Sequence, residues 1–188
     1  MKSNDEAVDR QNRINFLLRK SQGERNLPVF TKQLAAALQV PISSLSFLSL
    51  EQSDSIDEKF TDFCETQRSY LPTFRVTWSD TTPIGVIAKN VADRIPSRLL
   101  YVMFHDSNSI GIMAIEAKLL FCSIVKILMA SGEAIQVFSA DFTDGVLLDF
   151  YEEGPTGITV ECLAWGCYQP IFAQCLDDYG DFSVIKIW

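Results

Sequence analysis

One histidine, five cysteines and a concentration of carboxylates toward the C-terminus are the side chains with which this 188-residue chain could do chemistry. From Asp141 to Glu153 the sequence reads DFTDGVLLDFYEE, five carboxylates in thirteen positions with no lysine or arginine among them. Three chemistries compete for such residues. A cysteine beside a histidine base supports nucleophilic catalysis. Converging carboxylates hold a divalent metal. An unneutralised acidic surface attracts a basic macromolecule.

The first two lack the spacing they need. His105 lies in FHDSNS next to Asp106 and Ser107, but a triad requires side chains converging from separate elements, not chain neighbours. Cys64, Cys122 and Cys162 occupy apolar periodic positions, where a thiol behaves as a small hydrophobe. In ECLAWGCYQPIFAQC the thiols are separated by four and seven residues, unlike the paired short knuckles of structural zinc sites. Aligning Gly145 on the glycine of a calcium loop puts Ala140 and Phe142 at liganding positions and Tyr151 where the bidentate acid belongs. No phosphate-cradling glycine loop is present. The expectation is a chain with no catalytic residue, no cofactor and no metal.

The third chemistry is favoured by the charge distribution. The net charge is −8, and it is unevenly placed. Residues 1–132 carry 15 bases and 14 acids, whereas residues 133–188 carry Lys186 against ten acids. Such a surface repels nucleic acid and anionic membrane and draws a basic protein. Asp141, Asp144, Asp149, Tyr151, Glu153 and Glu161 are the candidate partner-binding residues, with Phe138 and Trp165 as possible packed anchors.

The stretch TKQLAAALQVPISSLSFL resembles the helix-turn-helix of bacterial DNA-binding repressors, with Leu34, Ala35, Leu38, Val40, Leu45 and Leu48 at its small or apolar positions. Gln39 stands where the turn glycine belongs, and Pro41 follows soon after. No lysine or arginine occurs from Gln33 to Glu58, so the would-be reading helix cannot neutralise phosphate. A structural helix pair is the better reading.

The elements that must position these residues follow from periodicity and turn signals. Helices are expected over Asp5–Ser21, closed by Gly23, then Thr31–Gln39, within Ser43–Leu50, and over Ile56–Tyr70. From Thr73 onward strands are expected at TFRVTW, LLYVMF, IGIMAIEA, AIQVFSADF, VLLDFYEE, ITVECLAW and FSVIKIW. SDTTPIG reads as a turn, EAKLLFCSIVKILMASG as a buried helix and PIFAQCL as a helical turn. The fold class is α+β: N-terminal helices (1–70) followed by a largely antiparallel sheet with one buried helix (73–188), in one globular domain. A three-residue turn, Thr143-Asp144-Gly145 with the glycine left-handed, would pair Phe142 with Val146, Ala140 with Leu148 and Phe138 with Phe150. That register leaves Asp141, Asp149, Tyr151 and Glu153 on one wet face, joined by Glu161 from the next strand.

The N-terminal sixteen residues contain no apolar stretch, and LLFCSIVKILMA is interrupted by Lys126 and too short to span a bilayer. An odd number of cysteines fits reduced thiols. The sequence thus leads to a cytoplasmic, non-catalytic, acidic protein, in the manner of an immunity protein that covers the active site of a basic nuclease-type toxin. A small Cys/His or metal-dependent hydrolase is the alternative, and the oligomeric state is left open.

Overall fold

The computed structural model describes residues 2–68, 71–78, 81–132, 134–153, 157–179 and 185–186; of these, the side chains of 2–7, 74, 151–153, 157–158, 179 and 185–186 lie outside the description. The fold is α+β, as the sequence indicates. In chain order the elements are α1 (Lys2–Leu38), a 3-10 turn (Ile42–Ser44), β1 (Ser46–Phe47), α2 (Leu50–Thr66), β2 (Thr73–Trp78), α3 (Thr82–Ala92), β3 (Leu99–Phe104), α4 (Ser107–Ile110), β4 (Met113–Glu116), α5 (Ala117–Cys122), α6 (Ile124–Ser131), β5 (Ile135–Phe138), β6 (Gly145–Glu153), β7 (Gly157–Trp165), α7 (Tyr168–Tyr179) and β8 (Ile185–Lys186). The strands form one antiparallel sheet in the order β1-β4-β3-β5-β6-β7-β2-β8.

Strand alternation gives the sheet two buried faces of unequal size. Val76, Leu100, Val102, Ile135, Val137, Val146, Leu148, Val160 and Cys162 point into the larger core, under α1, α3, α5, α6 and α7. On the opposite face α2 covers the sheet, seating Phe60 and Phe63 on Phe138 and Trp165. Phe60 stacks on Phe138 at 4.4 Å between ring centroids, and Phe142 closes the cluster at 5.4 Å from Phe138. Helix α2 starts cleanly because Ser49 and Gln52 form a reciprocal capping box.

Several expectations change. Helix α1 does not stop at Gly23 but runs through it and through Pro28. Gly23, Leu27, Phe30, Leu34 and Leu38 recur three or four residues apart and form its packing stripe. Gly23 is the point of closest approach, since a Cβ there would lie 2.0 Å from the carbonyl oxygen of Ser109. Pro28 and Glu24 are exposed, so water can serve the carbonyl that the proline leaves without a donor. Thr31 does not cap a new helix; its hydroxyl donates to the carbonyl of Leu27 at 2.6 Å. The segment resembling a DNA-reading pair is the end of α1, a 3-10 turn and an edge strand, so it is not a helix pair either. SDTTPIG opens α3: Pro83 sits in the first turn, where its missing N–H costs nothing, and Ile84, Ile87, Ala88, Val91 and Ala92 are buried. The expected single buried helix is two, α5 and α6, divided at Ser123, with Gly132 left-handed after α6.

The β5–β6 hairpin has a different register from the one expected. Val137 faces Val146 and Phe138 faces Gly145, five residues removed from the expected pairing. An odd displacement turns every β5 side chain over. Phe138 therefore lies under α2, while Ile135 and Val137 enter the larger core. Gly145 is needed for space and not for a left-handed turn, since a Cβ would sit 2.1 Å from the Trp165 ring. The left-handed residue is Phe142, at φ 62°.

Candidate functional site

Of the acids singled out in the sequence, Asp144 and Glu161 are paired with arginines and Asp141 is bonded within its own loop, while the side chain of Glu153 lies outside the described residues. Asp141 turns back on its own loop, accepting from Ser139 Oγ at 2.6 Å and Thr143 Oγ1 at 3.0 Å. Those bonds hold its carboxyl below the ordinary carboxylate range. Asp144 accepts from Arg98 Nη1 at 3.0 Å and from the backbone N–H of Cys167. Burial alone would raise the Asp144 pKa, but these donors outweigh it and the value is lowered. Arg98 also stacks over Tyr168, with 5.1 Å to the ring centroid. This knot ties the β5–β6 loop to β3 and to the start of α7.

Asp149 and Glu161 are brought together, as cross-strand partners on the face that carries α2. Glu161 is ion-paired with Arg75 of β2, and Asp149 accepts from the N–H of Phe150 at 2.9 Å. The strand positions of Tyr151 and Glu153 alternate with Phe150, but their side chains lie outside the described residues. Phe138 and Trp165 are buried completely, and Trp165 Nε1 donates to the Phe142 carbonyl at 2.9 Å. They are core residues and not exposed anchors. The correction has a simple cause. Arg75 and Arg98, both from the block before residue 133, reach these acids, which a tally by sequence block cannot register.

The same tally hid a stronger feature. Helix α2 carries Glu51, Asp54, Asp57, Glu58, Asp62 and Glu65 against Lys59 alone. All of these acids except Asp54 are exposed. Helix α1 carries seven bases against four acids. Two oppositely charged helices average to near neutrality over residues 1–132.

Beside α2 the sheet is open, and a trough runs there. Its polar end, of about 310 Å³, is lined by Arg19, Asp54, Asp57, His105, Asn108 and Gln136. Its apolar end, of about 360 Å³, is lined by Phe60, Cys64, Glu65, Arg68, Met103, Leu147 and Trp165. Asp57, Met103 and Gln136 line both ends, so the two hollows adjoin along α2. One wall is a helix edge (Asp54, Asp57, Thr61, Cys64, Glu65, Arg68) at the three- and four-residue spacing of a single side. The floor, Met103, Gln136 and Leu147, is half-buried.

No known family, curated protein or solved structure matches this chain. The site must therefore be read from its own chemistry.

Arg19 grips Asp54 with both guanidinium nitrogens, at 2.9 and 2.5 Å, which fixes the polar end. Asp57 is left with its carboxyl raised, first by burial and then by the neighbouring Asp54, with Arg19 opposing. A raised acid destabilises the fold at neutral pH, and that cost fades as pH falls toward the ordinary carboxylate range. Asp57→Asn is accordingly expected to raise the melting temperature slightly, by about 1 °C, in differential scanning calorimetry at neutral pH. An unchanged or lower value would show that the carboxylate is not held at a cost.

Four of the five thiols are held above the ordinary thiol range. Burial pushes up Cys64, Cys162 and Cys175, and it pushes Cys167 up to about 11 with help from Asp144. High thiol pKa values leave little thiolate to attack a substrate. Cys122, expected on an apolar face, is exposed. Among the described residues no three His, Cys, Asp or Glu side chains converge as a metal site requires. Among them, too, no helix is long and apolar enough to cross a membrane.

Proposed function

We propose that this chain is a non-catalytic, cytoplasmic binding protein that seats a basic segment of another protein in the trough beside α2. An immunity protein blocking the active site of a basic nuclease-type toxin would work in this way. One observation carries the reading: the edge of α2 sets Asp57 and Glu65, with Arg68 beyond them, over a half-buried floor of Met103 and Leu147 with Gln136 between. A partner there gains apolar burial at the centre and complementary charge at the rim, the usual division of labour in a specific interface. Asp57 adds selectivity, because a cationic side chain beside it relieves the cost of its ionised form.

A small Cys/His or metal-dependent hydrolase has one observation in its favour, since His105 lines the polar end with Asp54 and Asp57. No cysteine lines that end among the described residues, so the binding reading is preferred.

The test is retention of a partner by the purified chain from its native host, run in parallel with the double variant Asp57→Lys and Glu65→Lys. Both positions are exposed, so the fold should be undisturbed. A basic protein held by the parent chain should bind the variant at least about tenfold more weakly, and added salt should slow its association. Equal retention by the variant, or a retained protein that is not basic, would remove the trough as the receptor surface.

A further inference from the structure

Among the described residues, the stretch of α1 from Val8 to Asn15 has no buried side chain. Every residue from Val8 to Asn15 is exposed, and helices of that length are marginal in water without a packing partner. Ile14 within this stretch, and Leu17 and Leu18 just beyond it, are exposed by 41%, 55% and 64%. At about 100° per residue these three share one side of the helix, away from the stripe of Leu27, Phe30 and Leu34 that packs on the body. Arg10, Arg13, Lys20 and Arg25 accompany them. Asp9 and Glu24 also lie along this stretch, so the arm is apolar with bases in excess over acids.

We infer that the arm of one copy docks in the α2 trough of a second copy, so that two chains exchange arms and cover each other's receptor surface. The complementarity is on both counts. The arm offers Ile14, Leu17 and Leu18 with arginines around them; the trough offers Met103 and Leu147 beside Asp57 and Glu65, with Arg19 held on Asp54 and Arg68 at the far end. The alternative of arm packing on arm is disfavoured by charge, because Arg10 and Arg25 lie on the same side as the leucines and would meet their own copies. Exchange about a two-fold axis makes the contact closed and self-limiting. Where a basic partner exists, it must displace the arm, so self-association sets a threshold of partner affinity or concentration.

Sedimentation velocity of the full chain, over a concentration series reaching tens of micromolar, tests this. The parent chain should sediment as a dimer that loosens with added salt. Leu17→Asp with Leu18→Asp should weaken dimerisation at least about tenfold, as should Arg10→Glu with Arg13→Glu. Combining the latter pair with Asp57→Arg and Glu65→Arg in one chain should restore it. Circular dichroism confirms that each variant, altered only at exposed positions, keeps its fold. A monomeric parent, a dimer indifferent to the leucine pair, or a charge exchange that restores nothing would each overturn the inference. It rests on the trough being a receptor surface, but not on who the partner is. A monomer that still loses a basic partner through Asp57→Lys and Glu65→Lys sinks the self-association alone. A dimer rescued by exchanged charges, with no basic partner retained, sinks the partner reading instead.

Discussion

Gly23→Ala is expected to destabilise the fold by about 2–3 kcal/mol, although the same change in an exposed helix interior stabilises by about 1 kcal/mol. The reversal comes from packing. A Cβ at position 23 would lie 2.0 Å from the Ser109 carbonyl oxygen and 3.0 Å from its carbon. Both belong to the backbone of α4, which cannot swing aside as a side chain would. Helix α4 in turn positions Ile110 in the core and leads to Gly111, itself left-handed at φ 87°. Either α1 lifts off or the β3–β4 connection shifts, and both expose apolar surface. Urea unfolding measures the outcome. A gain in stability would mean that α1 does not approach α4 this closely.

The second large effect is expected at Asp144. Asp144→Ala removes the partner of Arg98 and the acceptor for the Cys167 N–H. Unpairing a fully buried charge costs about 3–5 kcal/mol; here Arg98 keeps some contact with water, so about 2–3 kcal/mol is expected. The pH dependence fixes the sign. Asp144 has a folded pKa below its unfolded value. Its contribution is therefore complete above the ordinary carboxylate pKa of about 3.9 and is lost as pH falls through that value toward the folded pKa. The stability gap between the parent chain and Asp144→Asn should be constant from neutral pH to about 5 and narrow below about 4. A gap that widened on acidification would contradict the assignment. Asp141, closed on its own loop, should behave likewise with a smaller amplitude.

Legibility followed the range of the interactions involved. The strands from Thr73 onward and the helix over residues 56–66 were visible because their apolar spacing is local. The antiparallel meander through β5, β6 and β7 was visible for the same reason. What failed depended on distant partners. Gly23 and Pro28 look like helix terminators until Ser109 and the core supply the reason to continue through them. Pro83 and Gly85 look like a turn until Val125 is seen against the helix they open, 3.3 Å from where a Gly85 Cβ would be. The β5 register was misread because Phe138 seemed to belong with Val146 and Leu148. A second hydrophobic layer under α2 gives that ring another place to go.

The candidate site was half legible. The surplus of acid is countable in the sequence, and counting it by sequence block points to the hairpin. Glu161 and Asp144 there are matched by Arg75 and Arg98, residues 86 and 46 positions away. Counting by helix would have brought out α2, whose six acids face one lysine. The trough itself could not be read, because its floor comes from β3, β5 and β6.

The place of β2 in the sheet has a consequence for how the chain emerges during synthesis. Its six residues end at Trp78, yet they align with Val160 to Trp165, more than eighty residues later. Until that stretch leaves the ribosome, the hydrogen-bonding edge of TFRVTW waits without its neighbour. Pairings so remote in sequence are slow to form and vulnerable to association meanwhile. Nascent chains halted short of β7 should therefore be the species that chaperones capture, with β2 as the segment they shield.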